Sequence, residues 1–279
     1  MKPDWPASDE GRIFVEPKWK RLFTEQGLDS LHAFSVCKGG RCMRKVSSRC
    51  TVQLAVKGHS GPEFIFYLKR YYKDYKGMSG TEQAFKEFET LSRFLEKGLP
   101  VPRPIVIGGG EHNGNELGIL ITEKIPGGIQ ADHLLGRVDG KNGEVLPVSG
   151  RNRLDILQGI GQLAGKIHME RWVHRDMYLC HFFPVIQSDG RINIYIIDLK
   201  RAFMPAAHTF HRWRLKDLAA LYYSSMECGL NKEELERLFS AYFSAAGIVS
   251  WQQALWKWTA GLKALWIAHH DKRIRIRNQ

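Results

Sequence analysis

Long apolar runs are missing from this chain of 279 residues. Without a run of about 18 apolar residues, no segment reads as a bilayer span. Met1 to Glu10 lacks the apolar stretch of a secretory signal, and none is expected. Cysteine is scarce: five residues, at 37, 42, 50, 180 and 228, an odd number with no CxxC pair. In a chain this long that argues against a disulfide framework and for a reducing cytoplasm; Cys37, Cys42 and Cys50 read as buried or loop thiols rather than zinc ligands. Internal repeats are absent. Acidic residues are in deficit, 29 Asp+Glu against 41 Lys+Arg, for a net charge of +12 and a pI near 9.5. The partner expected from that balance is anionic: nucleic acid, phospholipid headgroups or a phosphorylated small molecule. The basic clusters (Arg41 to Arg49, Lys200 to Lys216, Lys272 to Arg277) come with no RRM, zinc-finger or helix-turn-helix signature, so no specific nucleic-acid binding is expected. What remains is ordinary globular composition, 43% hydrophobic and 25% charged, enough for one large domain or two medium ones.

The first half reads as strands and turns. Val52 to Val56, Phe64 to Lys69 and Leu117 to Glu123 are short apolar runs, the first two separated by Gly58, Gly61 and Pro62 as in a hairpin. One helix interrupts them. Ser79-Gly80-Thr81-Glu82 has capping-box spacing; Ala84, Phe88, Leu91 and Leu95 recur at helical period; Gly98, Pro100 and Pro102 end it. Residues 126–151, broken by six glycines from Gly127 to Gly150, read as a linker or loop. The second half is mainly helical, with an apolar stripe at Ile156, Ile160, Leu163, Ala164 and Ile167. Capping-box patterns open at Asn231 and Ser250. The fold class is therefore α+β, with a strand-rich part over residues 1–124 carrying one helix and a larger helical part over residues 125–279.

The chemistry concentrates in two stretches. Val173-His174-Arg175-Asp176 follows a helix directly, with His181 five residues after the Asp, and the alternating run Ile192, Ile194, Ile196 leads into Asp198. His-Arg-Asp begins the kinase catalytic-loop pattern H-R-D-L-x-x-x-N, in which the final Asn is here His181. Phosphoryl transfer requires a carboxylate to take the acceptor's proton, a second to bind Mg²⁺, a lysine to hold the phosphates and a glutamate to orient that lysine. Asp176, Asp198, Lys69 and Glu87 occupy those places in the right order, although Glu82 and Glu89 share the helix with Glu87. His-Arg-Asp alone is weak; strand lysine, helix glutamate, His-Arg-Asp and strand aspartate in sequence are a protein-kinase-like signature. No G-x-G-x-x-G occurs. The phosphate loop is expected at Gly39-Gly40, with Arg41, Arg44 or Lys45 adding side-chain charge, or that pair is an ordinary hairpin turn. The joint from Thr122 to Ile125 is expected to read adenine through its backbone, which selects Glu123 and Ile125. Only a short span without an A-P-E motif separates Asp198 from Arg212, which favours a glycan or small-molecule acceptor over a protein. Lys200, Arg201, Arg212 and Arg214 suit a polyanionic acceptor.

The segments His174-Arg175-Asp176-Met177-Tyr178-Leu179-Cys180-His181-Phe182, Ile197 to Ala202 and Arg212 to Tyr222 resemble the bacterial lipopolysaccharide kinases that phosphorylate heptose and Kdo of the inner core. The resemblance spans roughly residues 30–245 and is densest from 172 to 225. It implies a protein-kinase-like fold and ATP-dependent phosphorylation of a sugar hydroxyl on lipid A–core lipopolysaccharide. It also implies peripheral attachment to the anionic cytoplasmic face of the inner membrane. By position it implies Asp176 as base and Lys69 as phosphate-binding lysine. Asp198 and His181 would hold Mg²⁺ or Mn²⁺, and Asp217 would anchor the catalytic loop. The alternatives are a kinase of another small-molecule or protein hydroxyl and a nucleotide-binding pseudokinase.

Overall fold

The computed structural model describes residues 3–37, 39–58, 61–74, 77–136, 148 and 150–277. The chain divides into two compact units, Met1–Lys124 and Ile125–Gln279. In the first, β1 (Ala7–Ser8), β2 (Ile13–Val15), α1 (Pro17–Glu25) and α2 (Leu31–Val36) precede β3 (Arg41–Val46), β4 (Arg49–Lys57) and β5 (Glu63–Tyr71). Then come α3 (Gly80–Glu96), β6 (Pro104–His112) and β7 (Asn115–Glu123). The strands form one seven-stranded sheet in the order β1-β2-β6-β7-β5-β4-β3, antiparallel at every pairing.

Strand alternation sorts the two faces of β5. Phe66, Leu68 and Arg70 point one way. Phe66 and Leu68 join Trp19, Phe23, Leu31 and Phe34 in a buried cluster, and Arg70 donates to the carbonyls of Phe34 and Cys37 at 2.7 and 2.6 Å. Lys69 and Tyr71 point the other way, toward α3. The helices α1 and α2 thus cover one face of the sheet, adding to the one helix read from the sequence. Pro17 at the first turn and the pair Trp19/Phe23 one turn apart are their signal. At nine and six residues the two helices are short, and packing on the sheet is what stabilises them.

Helix α3 begins as its capping box requires: Ser79 accepts from the Glu82 N–H, and Glu82 accepts from the Ser79 N–H. Its N-terminus presses on β7. A Cβ added to Gly118 would lie 1.9 Å from the Gly80 carbonyl oxygen, so both positions need glycine for this approach.

The second unit contains α4 (Ala131–Leu134), α5 (Gly150–Met169), the hairpin β8 (Phe182–Ile186) and β9 (Ile192–Ile196), then α6 (Phe210–Glu227), α7 (Lys232–Ala245) and α8 (Ser250–Arg277). All five residues of the α5 stripe are buried, and α5 packs on α7 as α6 does on α8. Asn231 and Glu234 form the expected capping box of α7, and Arg153 of α5 pairs with the same Glu234. Two expectations change. The stretch read as a loop from 126 contains α4, whose Ala131 and Leu134 are buried; Gly140 and Gly143 lie outside the described residues. Ser250 is already helical, and the Gln253 side chain donates to the Ile248 carbonyl at 3.0 Å instead of closing a capping box.

Candidate active site

In the first unit, Lys69 on β5 lies opposite Thr51 of β4 and Leu120 of β7. Its ammonium meets Glu87 Oε1 at 2.5 Å. Glu87 occupies the inward face of α3 between Ala84 and Leu91, and is 1% exposed. The competing Glu82 is committed to the helix cap. The second oxygen of Glu87 accepts from the buried Tyr71 hydroxyl. Both oxygens of a buried carboxylate are therefore compensated, as burial of that charge demands. Tyr71 was not picked out by sequence; its signal is the two-residue step from Lys69, which places it on the same strand face.

The turn between β3 and β4 is Ser47-Ser48, not Gly39-Gly40. The glycines precede β3; Lys38, beside them, lies outside the described residues. Gly40 is explained by packing: φ is +123° and an added Cβ would lie 2.3 Å from the Gln53 carbonyl oxygen. The expectation of a hairpin turn at Gly39-Gly40 is corrected accordingly. The hairpin tip carries two serines between Val46 and Arg49, with Lys45 one residue further back. At the end of this unit the Glu123 N–H donates to the Arg103 carbonyl at 2.9 Å, and its carboxylate accepts from Trp19 Nε1 at 3.1 Å. Ile125 opens the second unit and accepts from the Gly128 N–H at 3.2 Å.

In the second unit the His-Arg-Asp loop is held from beneath by Asp217 of α6. Its two carboxylate oxygens accept the N–H groups of His174 and Arg175, each at 2.7 Å. Arg175 can then adopt its left-handed backbone, φ +72°. His174 links this loop to the segment after β9: Nε2 faces the Ile197 carbonyl at 2.9 Å and Nδ1 faces the Asp176 N–H at 3.3 Å. Those partners require a neutral ring protonated on Nε2. Burial, with His181 nearby, lowers the His174 pKa in agreement. His168 is also buried, against Asp217 and Tyr242, and burial lowers its pKa.

Asp198 takes a left-handed conformation, φ +61°. His181 Nδ1 lies 2.6 Å from the Asp176 carbonyl oxygen, which places a proton on Nδ1, and Nε2 faces Asp198, 3.9 Å from Oδ2. Among the described residues no group of three or more His, Cys, Asp or Glu side chains could hold a metal ion by itself. The pair Asp198 and His181 nonetheless offers two ligand atoms on one side, the arrangement expected of a cation whose remaining ligands come from phosphates and water.

The four cations expected to bind acceptor divide. Arg201 Nη1 contacts both carboxylate oxygens of Asp176, at 2.7 and 2.8 Å. Arg212 is exposed, its guanidinium 5.8 Å from the centre of the Trp213 ring. Lys200 is half-buried on the turn after Asp198. Arg214 does not belong to the set. It is buried on the inward face of α6 with Asp217 and Leu218, its guanidinium over Phe210 and near Trp256, and burial depresses its pKa. Lys216, in the same basic cluster, is half-buried on α6; burial lowers its pKa, with Arg201 and Arg175 adding to the effect while Asp176 opposes it. All five cysteines are free thiols.

An antiparallel sheet with a lysine–glutamate bridge, and a helical unit whose His-Arg-Asp loop hangs from a buried aspartate, define a protein-kinase-like fold. Within that class, the Lipopolysaccharide kinase (Kdo/WaaP) family matches residues 65–242. The chain belongs to this family and is a phosphotransferase. It is 26% identical over 264 residues to the lipopolysaccharide core heptose(I) kinase WaaP of Pseudomonas aeruginosa, covering 87% of this chain and 93% of that one. With the enzyme of the same name from Escherichia coli K12 it is 27% identical over 217 residues, 73% of this chain and 78% of the other. A solved structure of WaaP in complex with acyl carrier protein superposes with a TM-score of 0.65 at 24% identity, over 90% of this chain and 98% of that one. That likeness bears on the fold.

Proposed function

We propose that this chain transfers the γ-phosphoryl group of ATP to a heptose hydroxyl of the lipopolysaccharide inner core. The observation that carries the reading is the Asp217-anchored loop, which holds the His174 and Arg175 backbone next to Asp176 in the same unit as Asp198 and His181. The acceptor oxygen attacks phosphorus, the bond from phosphorus to the ADP oxygen breaks, and the hydroxyl proton passes to Asp176. Lys69, oriented by Glu87 and Tyr71, binds phosphate oxygens. The Ser47-Ser48 turn supplies main-chain donors to the nucleotide, and the backbone from Glu123 to Ile125 meets adenine. Asp198 and His181 are the residues that would hold Mg²⁺ or Mn²⁺, which when bound offsets charge on the phosphates. An imidazole ligand favours Mn²⁺ more than an amide oxygen would. Arg201, Lys200, Arg212 and Lys216 face an acceptor that is itself polyanionic. The acceptor is part of a membrane glycolipid, and this reading places the protein at the anionic cytoplasmic face of the inner membrane.

Incubation with ATP and defined core oligosaccharides tests it. A gain of one phosphoryl group on the heptose-containing acceptor is expected by mass spectrometry, with release of ADP. Asp176→Asn should retain ATP binding and lose turnover by about 10²–10⁴-fold. ATP consumption with no phosphorylated sugar in any core acceptor would sink the proposal.

A further inference from the structure

Helix α8 turns most of its large apolar side chains outward, while Trp256 packs beside His211. Among its described residues Ala260 and Ala264 are fully buried, while Trp251, Leu255, Trp258, Leu262, Leu265 and Trp266 are 49% to 76% exposed. At helical pitch these six fall on one face about 100° wide, in a row about 22 Å long. A helix packed on a water-soluble domain does the opposite, burying Leu and Trp and exposing small or polar residues. Beyond Trp266 the same face continues as His269, Lys272 and Arg273, all exposed. The helix carries six Lys and Arg against one acid, Asp271, a balance of 6 − 1 = +5. The Tyr223 hydroxyl donates to that acid at 2.7 Å.

We propose that α8 docks the protein on an anionic phospholipid bilayer, lying along the surface with its Trp/Leu row among the headgroups and its cations on lipid phosphates. Indole is at home in that interfacial layer, and a long apolar row with cationic neighbours is the form of a helix that lies on a membrane. No helix of the described residues is long and apolar enough to cross one. Charge argues against a second copy of the chain as the occupant, since pairing would set two +5 helices side by side. The purpose of the docking rests on the glycolipid acceptor proposed above, because such an acceptor is reached only at a bilayer surface.

The protein is floated with vesicles of phosphatidylcholine, alone or mixed with phosphatidylglycerol. Wild type should float with the anionic vesicles, its tryptophan emission shifting to the blue. Part of the binding should survive about 1 M salt, where the screening length is about 3 Å. The triple variant Trp251→Ser/Trp258→Ser/Trp266→Ser should lose affinity by about ten-fold or more with its melting temperature unchanged. Leu262→Ser, a milder change on the same face, should show a smaller loss and serves if the triple variant misfolds. Wild type that ignores anionic vesicles, or variants that float as well as wild type, overturns the proposal. So does a triple variant that keeps vesicle binding but loses self-association or acyl-carrier-protein binding. A soluble, deacylated core oligosaccharide separates the two readings. If wild type fails to phosphorylate it, the sugar-kinase reading falls and the vesicle result still decides the docking. If both proteins use it but only wild type uses vesicle-embedded acceptor, the docking is supported.

Discussion

Glu87 receives Lys69 and Tyr71 on separate oxygens, so the orientation of the lysine depends on a hydroxyl that acts through Glu87. Tyr71→Phe keeps the ring and removes one donor from a buried carboxylate, at a cost of about 1–3 kcal/mol in chemical denaturation. Its kcat/KM for ATP should fall several-fold, and the loss should be absent if Lys69 holds its position without Tyr71. The buried histidines set a second expectation. His168 and His174 both have lowered pKa values in the folded protein. The unfolded chain therefore binds more protons than the native one once the pH drops below about 6.5, and stability must decline there. Urea midpoints measured from pH 7.5 to 5 should fall on the acid side, and less steeply in His168→Gln, which cannot gain the proton. At this scale the sequence was most legible where chemistry demands a residue type in a fixed order: Lys69, Asp176 and Asp198 lie where motif and element coincide. It was least legible for Arg214, because a run of arginines does not say which face of α6 turns inward. Only the spacing with Phe210, Asp217, Leu218 and Leu221, all buried, marks that face.

Elements carry the positions of these residues. The approach of Gly80 and Gly118 sets how closely α3 lies on β7, and thereby where Glu87 stands relative to β5. Gly118→Ala should destabilise the protein by about 1–3 kcal/mol, since the new methyl meets backbone rather than a movable side chain. The KM for ATP should rise in the same variant. An unchanged denaturation midpoint would show that α3 shifts freely. Helices with strong caps, such as α3 and α7, could be read from sequence because the capping residues satisfy local hydrogen bonds. The short α1 and α2 carry only a faint signal, since they exist by packing Trp19, Phe23 and Phe34 on a sheet assembled from distant segments. The hairpin turn at Ser47-Ser48 in place of Gly39-Gly40 has the same origin: a two-residue turn is defined by strand register, here Val46 opposite Arg49, and not by glycine content.

For the molecule as a whole, the charge of +12 acts over distances that salt controls. The KM for a phosphorylated core acceptor should rise steeply as ionic strength increases from about 0.05 to 0.5 M, and far more than the KM for ATP. Equal responses for both substrates would assign the positive balance to something other than acceptor capture. The arginines and lysine of β3 have a further consequence. This strand ends the sheet, every one of its residues is exposed, and its register shifts between Cys42 and Arg44. Strand β1, at the opposite margin, is two residues long. An open strand edge is a template for another chain, and short length, irregularity and cations are the means by which proteins deny it. The cluster Arg41, Arg44 and Lys45 therefore sets like charge along the open edge, where it opposes strand-to-strand association with another copy.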